Sequence, residues 1–327
     1  MASVVHFPLL IVPAYHIDMQ TRTFGKTNLQ VSELGFGAAP AAFLGTEGVV
    51  AAALVNAMLD AGVNLLDTAA MYPGSEAFIG EHLSHRRKDY ILVSKCGQKI
   101  PENSAAAWSR ELIAASVDRA LRLMKTDALD VMLLHSCDLP TLQKGEAIDE
   151  LAKARDAGKI KFVGYSGDNE TAAFAATLPD VAVIETSINI VDQINIDKVL
   201  PAAKANNVGV IAKRPIANAA WRPKESFKSI YTNYAKPYIE RFGKMGLTTQ
   251  QLGFPGGDAQ KIWPEIAIRF TLSFPEVSTA IIGTTNPDNA RVNLGYTERG
   301  PLPQNVIDQL RQAFRNADPE AKWPGLT

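Results

Sequence analysis

Four polar side chains stand at or just after the ends of apolar, strand-like runs of the chain. Asp67 ends one run, Tyr72 follows it by a few residues, and Lys95 and His135 come after the next two runs. A lone lysine after a strand is usually solvated, and a lone histidine there is often a satisfied residue near the core. Residues at the carboxyl ends of neighbouring parallel strands meet at one end of a barrel, so the shared location predicts a site.

These residue types suit proton transfer to an oxygen that gains negative charge. A phenol has a pKa of about 10 and is a poor acid at neutral pH, but a nearby ammonium such as Lys95 lowers that pKa. A buried lysine needs a counter-charge, which Asp67 supplies. A neutral imidazole at His135 could orient a substrate carbonyl. The set predicts general acid–base chemistry at Tyr72 and contains no nucleophile for acyl transfer.

The elements that must position these residues form a repeating pattern. Apolar runs rich in Val, Ile and Leu, typical of buried parallel strands, alternate with amphipathic stretches. The predicted strands are 33–37, 63–66, 90–93, 129–134, 161–165, 181–186, 208–212 and 278–282. Eight such α/β units predict a closed (β/α)8 TIM barrel rather than an open sheet.

Helices are predicted between the strands, and one further helix after them. The clearest is 109–124, whose apolar residues recur every three or four positions after Ser109, a predicted N-cap. The others are 47–60, 76–83, 145–156, 170–177, 196–206, 262–274 and an extra helix at 303–317. Residues 214–260, after the seventh strand, lack strong periodicity. Because loops after barrel strands lie over the carboxyl-terminal mouth, 217–257 is the candidate substrate-shaping loop.

At these residues the chain resembles an aldo-keto reductase, from about Thr21 to Asn293. The stretch from Gly62 to Tyr72, reading GVNLLDTAAMY, is similar to the family's Asp-to-Tyr signature, and the opening TFGKTNLQVSELGFG is also typical. Lys95 and His135 fall where the family places the rest of its tetrad. The resemblance implies hydride transfer between a nicotinamide and a carbonyl carbon, or the reverse oxidation, with Tyr72 as general acid or base.

The resemblance also implies a cofactor site, with several departures from the family pattern. Ser166 is kept, but Gly167 stands where Asn is usual, Glu185 replaces Gln, and Arg214 replaces an aromatic or small polar residue. The segment from Ile281 to Asn293 resembles the family's diphosphate and adenosine site, a strand end followed by a helix N-terminus. The contact residues expected there are Gly283, Thr284, Asn289 and Asn293.

The resemblance implies NADP as cofactor, and the residues at that segment leave NAD possible. The basic residues that commonly hold the 2′-phosphate are missing, with Gly283 and Asn289 in their places, although Arg291 could compensate. The expected partner is a small carbonyl or alcohol substrate, in a pocket that includes Met71, Trp108 and Trp221. The identity of the substrate and the oligomeric state are not readable from the sequence.

Two other functions are compatible with parts of the pattern. The strand-end carboxylates Asp67 and Glu185 could serve a barrel hydrolase, but that hypothesis leaves Tyr72, Lys95 and His135 without a role. A redox-sensing module that binds the cofactor with little turnover fits the same tetrad. His82 and His85, beside Glu81, are interpreted as one solvated helix face rather than a metal site.

Composition sets broad limits. The chain has 327 residues, a formal net charge of -1 and 20% charged residues. This balance gives no indication of binding to nucleic acid or to an anionic membrane, which depends on clustered Lys and Arg. Cys96 and Cys137 are expected as buried free thiols in a reducing, cytoplasmic setting. Residues 1–18 are apolar, lack a basic signal-peptide region, and are predicted to be an extension before a start at Met19; an ordered strand or lid is the alternative. Residues 19–327 are predicted to form a single domain.

Overall fold

Eight parallel strands close into a barrel in the computed structural model, which describes residues 17–39, 48–100, 102–226 and 231–326. The barrel strands are β3 (Leu34–Gly37), β4 (Leu65–Asp67), β5 (Ile91–Cys96), β6 (Leu129–His135), β7 (Ile160–Ser166), β8 (Val181–Ser187), β9 (Gly209–Lys213) and β10 (Thr279–Ile282). Their closed order, β10-β3-β4-β5-β6-β7-β8-β9, confirms the predicted TIM barrel. Each strand lies within three residues of its predicted bounds at either end.

The inside of the barrel follows from the two-residue period of a strand. Along β5, Ile91 and Val93 pack in the interior cluster, while Leu92 and Cys96 pack in the outer layer beneath the helices. The next inward position after Val93 is Lys95. Near the carboxyl ends of β4, β6, β8 and β9, the same alternation carries the odd-numbered positions inward, which brings Asp67, His135, Glu185 and Lys213 to the carboxyl-terminal mouth.

A short hairpin stands at the opposite end of the barrel. Strands β1 (Thr21–Thr23) and β2 (Gln30–Ser32) pair antiparallel, and Phe24 and Val31 are fully buried in the interior cluster. A side chain at Gly209 would lie 2.4 Å from the Phe24 ring, so a glycine is required where this aromatic plug meets β9. The hairpin therefore closes the amino-terminal end and leaves the other end for chemistry.

Helices cover the outside of the barrel, close to their predicted positions. They are α1 (Gly48–Asp60), α2 (Ser75–His82), α3 (Arg110–Met124), α4 (Leu139–Gln143), α5 (Glu146–Asp156), α6 (Asn169–Ala175), α7 (Ile194–Lys198), α8 (Leu200–Ala205), α9 (Tyr231–Met245), α10 (Ala259–Leu272), α11 (Pro287–Gly295) and α12 (Gln304–Ala317). Ser109 caps α3, since its side chain accepts a hydrogen bond from the Leu112 amide. None of these helices combines the length and the apolar character that a bilayer-spanning segment needs.

The long connection after β9 is more regular than its sequence predicts. Helix α9 occupies Tyr231–Met245 in the segment interpreted as non-periodic, with Pro237 inside it. Residues 227–230 of this connection lie outside the described residues, as do residues 1–16 of the expected extension. The division into an extension and a domain therefore stays a prediction.

A short segment, residues 323–326, returns from α12 to the mouth of the barrel. The Gly325 amide donates to Asn169 Oδ1 at 2.6 Å, and the Leu326 amide donates to Asp192 Oδ2 at 3.0 Å. Leu326 O accepts from Ser187 Oγ at 2.8 Å and from the Arg214 guanidinium. These bonds fix the segment against residues that follow β7, β8 and β9.

Candidate active site

Two carboxylates flank one lysine at the mouth, and all three side chains are buried. Lys95 Nζ lies 2.5 Å from Asp67 Oδ1 and 3.1 Å from Glu185 Oε2, and the exposed fractions of these side chains are 0%, 3% and 3%. Lys95 Nζ also donates to the Thr68 carbonyl at 3.1 Å. Strands β4, β5 and β8 thus each contribute an inward residue to one cluster, called the Asp67–Lys95–Glu185 cluster below.

This cluster retains protons strongly. Burial alone would lower the pKa of the Lys95 ammonium, but the charges of Asp67 and Glu185 raise it above its usual value. Burial, followed by the charge of Glu185, raises the pKa of the Asp67 carboxyl well above its usual range against the opposing effect of Lys95. Two buried carboxylates thus compete for one ammonium, which favours a surplus proton on the carboxyl side.

The loop that carries Tyr72 is fixed at both of its ends. Thr68 Oγ1 and Ser75 Oγ are 2.6 Å apart, and the Ala70 amide donates to the carbonyl of Lys95 at 3.1 Å. Within the loop, the Ser75 amide donates to the Tyr72 carbonyl at 3.1 Å. The loop therefore holds the phenol near the strand ends, with Lys95 Nζ 5.5 Å from the centroid of its ring.

Burial is the main reason that both Tyr72 and His135 are neutral at pH 7. Burial raises the pKa of Tyr72 to about 12, because the lowering effect of Lys95 is smaller and is opposed by Asp67 and Glu185. The expectation of a lowered phenol pKa is therefore wrong for the protein by itself. Burial, with the positive charges of Lys95, Lys213 and Arg214, lowers the pKa of His135 well below its usual value. The two rings meet edge to face at a centroid distance of 6.0 Å.

The glycine at position 167 has a structural reason in its neighbour Tyr165. A Cβ at Gly167 would lie 2.5 Å from the Tyr165 hydroxyl oxygen and 2.6 Å from its ring. Tyr165 is 2% exposed and donates to the Cys137 carbonyl at 2.8 Å, so its ring cannot move aside freely. The tyrosine fills the space into which an asparagine at position 167 would extend.

Beside that ring, Ser166 and Glu185 are the polar groups that face the mouth from β7 and β8. Ser166 Oγ donates to Glu185 Oε1 at 3.3 Å, while Glu185 Oε2 is buried and, apart from its ion pair with Lys95, accepts no hydrogen bond from the described residues.

Arg214 is partly buried, and the 323–326 segment binds it. Its guanidinium donates to the Leu326 carbonyl and lies 5.5 Å from the centroid of the Tyr234 ring of α9. Next to it, Lys213 Nζ pairs with Asp168 Oδ2 at 3.0 Å. Lys213 and Asp168 are not among the predicted site residues, although the strand period places Lys213 at an inward position of β9.

The remaining expected cofactor contacts lie around the start of α11, after β10. The Asn286 side chain caps this helix and accepts hydrogen bonds from the amides of Asp288 and Asn289. Thr284 Oγ1 accepts from the Asn286 amide at 3.1 Å. Asn289 and Arg291 are exposed, Gly283 is partly exposed, and Asn293 is 7% exposed.

The three expected substrate-pocket residues have different surroundings. Met71 is 43% exposed beside Tyr72. The Trp108 amide donates to the Gly97 carbonyl at 2.8 Å, and its indole lies where a Cβ at Gly97 would be, two residues beyond Lys95. Trp221 instead stacks on Trp263, with centroids 6.3 Å apart. Over the described ranges, no group of three or more His, Cys, Asp or Glu residues could hold a metal ion.

Comparison with known proteins identifies the family. The model of the aldo/keto reductase family matches residues 33–315. The chain belongs to this family. Aldo-keto reductases are oxidoreductases that use nicotinamide cofactors and small carbonyl substrates, and this aldo-keto reductase contains an inward Asp, Lys and His and a loop Tyr at the mouth of its barrel.

Its relatives include two proteins named as dehydrogenases. L-galactose dehydrogenase of Arabidopsis thaliana is 26% identical over 94% of this chain and 97% of its own length. D-threo-aldose 1-dehydrogenase of a Pseudomonas species is 24% identical over 87% of this chain and 94% of its own length. Among solved structures, the holo form of an aldo-keto reductase from Bacillus halodurans has a TM-score of 0.75 at 24% identity, covering 91% of this chain and 97% of that one. This similarity supports the fold.

The residues present fit a nicotinamide group. Glu185 Oε2 is a buried oxygen whose contact among the described residues is its ion pair with Lys95, so it has a lone pair for one further donor, and Ser166 Oγ adds a hydroxyl beside Glu185 Oε1. A carboxamide has two N–H donors and one acceptor, so its amide nitrogen matches Glu185 and its carbonyl matches a hydroxyl donor. These two residues would hold the carboxamide without an asparagine at position 167.

Proposed function

We propose that this aldo-keto reductase interconverts carbonyls and alcohols with a nicotinamide cofactor and that Tyr72 is its general acid and base. The observation that carries the proposal is the convergence of the Asp67–Lys95–Glu185 cluster with Tyr72 and His135 at one end of the barrel. The cofactor, when bound, supplies or accepts a hydride. All other steps belong to residues of this chain.

In the reducing direction, Tyr72 supplies the proton. Its pKa, raised to about 12 by burial, keeps the phenol protonated at neutral pH, so a proton is available for a carbonyl oxygen that becomes an alkoxide. Lys95 stabilises the phenolate left behind, and Asp67 keeps that ammonium buried and oriented. In the oxidising direction, the same phenolate takes the proton of the alcohol.

His135 orients the substrate rather than exchanging protons. Its neutral imidazole can donate one hydrogen bond to the substrate oxygen without competing with Tyr72 as an acid. Substrate orientation also involves the pocket residues Met71, Trp108 and Trp221, and the 217–257 connection is proposed to complete that pocket above them.

For the cofactor we propose NADP, with NAD as the alternative. Ser166 and Glu185 would hold the carboxamide, and the start of α11, with Gly283, Thr284, Asn289 and Asn293, would hold the diphosphate and adenosine portion. Arg214 would contribute positive charge between these two regions. The exposed Arg291 is the basic residue available for a 2′-phosphate at this helix.

The test is the variant Tyr72→Phe, which removes the proton donor but keeps the ring. We expect turnover to fall by about 10² or more, because a positioned general acid contributes on that scale, while cofactor affinity changes less than about threefold. Fluorescence titration with NADPH and NADH measures the affinity, and a panel of aldehydes and sugar alcohols measures turnover. Near-normal turnover in Tyr72→Phe would remove the assignment.

The same titration separates this function from the two alternatives. A hydrolase would bind neither cofactor, and its two carboxylates would not both be paired with one lysine. A redox-sensing module would bind the cofactor tightly with very slow turnover, so a stoichiometric complex that reduces no carbonyl in the panel would favour it.

A further inference from the structure

Glu185 gives the cluster one more carboxylate than its ammonium can neutralise. Its side chain and that of Asp67 are each 3% exposed, and both contact Lys95 Nζ, at 3.1 Å and 2.5 Å. A glutamine at this position would leave a simple Asp67–Lys95 pair. The extra carboxylate therefore has an electrostatic consequence that an amide would not have.

The consequence is that the cluster holds an extra proton before the cofactor binds. A buried cluster with a net charge of -1 is costly, so a surplus proton is favoured at Asp67, where burial and the charge of Glu185 raise the carboxyl pKa. A positive charge brought close to the cluster reverses this preference, because the cluster can then stay ionised. The oxidised nicotinamide ring is positively charged and the reduced ring is neutral.

We propose that the Asp67–Lys95–Glu185 cluster releases one proton when the oxidised, positively charged cofactor binds, and releases none when the reduced cofactor binds. The proton leaves to solvent, and the ionised cluster then faces the positive ring. This inference rests on the proposed function, because it requires the nicotinamide to bind at the mouth. Because of Glu185, the affinity for the oxidised cofactor relative to the reduced cofactor would then depend on pH.

Several other ionisable groups lie near the mouth. Tyr72 and His135 stay neutral over the range from pH 6 to 8, given a pKa of about 12 for the first and a strongly lowered pKa for the second. Lys213 and Asp168 form an ion pair, and Arg214 is always charged. Asp192 is different, because burial and the charge of Asp168 raise its pKa to about 7. It therefore needs its own control.

The experiment measures the dissociation constants of NAD⁺ and NADH, or of NADP⁺ and NADPH, between pH 6 and 8. The ratio of the two constants cancels any titration that affects both forms equally. In the wild-type protein, binding of the oxidised form should tighten relative to the reduced form by up to about tenfold per pH unit, the slope for one released proton. In Glu185→Gln the ratio should vary less than about threefold over the whole range.

Two control variants remove a buried carboxylate elsewhere. Glu76→Gln acts behind β5, where Glu76 accepts a hydrogen bond from the outward Ser94 instead of facing Lys95. Asp192→Asn removes the group near Arg241 and Tyr238 that titrates close to pH 7. Both variants should keep the wild-type slope.

Proton release is also counted directly with a pH indicator in weakly buffered solution when the oxidised cofactor is added. Wild-type protein should release up to one proton per site, a count that stands even if Glu185→Gln fails to fold. A flat wild-type ratio without proton release, a slope that survives in Glu185→Gln, or a slope that disappears in Asp192→Asn overturns the inference and leaves the proposed function intact. Failure of both cofactor forms to bind overturns the proposed function and the inference together.

Discussion

A side chain at position 167 should conflict with Tyr165, and the conflict should disappear when Tyr165 is made smaller. The distances of 2.5 Å to the hydroxyl oxygen and 2.6 Å to the ring are shorter than any normal contact of a Cβ. Overpacking a buried site costs about 1–3 kcal/mol. We therefore expect Gly167→Ala to lower the free energy of unfolding by about 1–3 kcal/mol and Gly167→Asn by at least as much.

The double variant gives the reasoning its test. Tyr165→Val removes a buried ring and its bond to the Cys137 carbonyl, so alone it should cost about 3–5 kcal/mol. Combined with Gly167→Asn it should cost less than the sum of the single variants by about 1–3 kcal/mol, because the conflict is then absent. Urea unfolding followed by circular dichroism measures the free energy of unfolding of wild type, the single variants and the double variant.

The matched control is Gly243→Ala in helix α9, where no described atom beyond the adjoining residues and the helix backbone lies within 4 Å of the added Cβ. This change should be neutral or stabilising by up to about 1 kcal/mol, because alanine is the better helix former. If Gly167→Ala behaves like Gly243→Ala, or if the two effects at 165 and 167 simply add, Tyr165 does not exclude the asparagine and the explanation fails.

Further predictions concern charge. Oxidation of an alcohol needs the Tyr72 phenolate, and the pKa of this phenol is about 12. The kcat/KM for oxidation should therefore rise steadily from pH 6 to 9.5, whereas the kcat/KM for reduction should stay nearly flat. Equal pH profiles for the two directions would contradict this. In the folded protein the pKa of Asp192 is about 7, against a usual value of 3.8. Its contribution to the free energy of unfolding is therefore complete below about pH 4 and is lost as the pH rises through 7, a decline of up to about 4 kcal/mol. Relative to wild type, Asp192→Asn should remove that decline in unfolding free energy, and parallel curves would refute it. Arg291→Ala should weaken NADP⁺ binding more than about fivefold with little effect on NAD⁺, and an equal effect on both cofactors would show that Arg291 does not contact the 2′-phosphate.

Local patterns in the sequence are sufficient to predict the barrel and the residues at its strand ends. Each strand is a continuous apolar run between turn residues, and Gly62, Gly158 and Asn207 adopt the positive φ values expected at those turns. The two-residue alternation along β4, β5 and β6 then brings Asp67, Lys95 and His135 to one mouth without further information.

What the sequence does not reveal depends on contacts between distant segments. Helix α9 contains Pro237, a residue that argues against a helix when the sequence is read alone, yet the helix packs against the partly buried Trp221 through Phe242. The bond between Arg214 and Leu326 joins residues 112 positions apart, and nothing near either residue signals it. The pairing of Gly167 with Tyr165 is local, but only the direction of the tyrosine ring makes it visible.

Strand β5 also contains a reporter of its own motion. Cys96 follows Lys95 directly, faces the helix layer, and is 1% exposed, and burial raises the pKa of its thiol above the usual value. A thiol reagent can therefore reach it only when the barrel wall opens there. With Cys137 replaced by serine, the rate of labelling would measure how often the strand that carries Lys95 separates from its neighbours. A bound ligand that slows this labelling would show, from the ratio of the two rates, how strongly it suppresses opening of the barrel wall at Cys96.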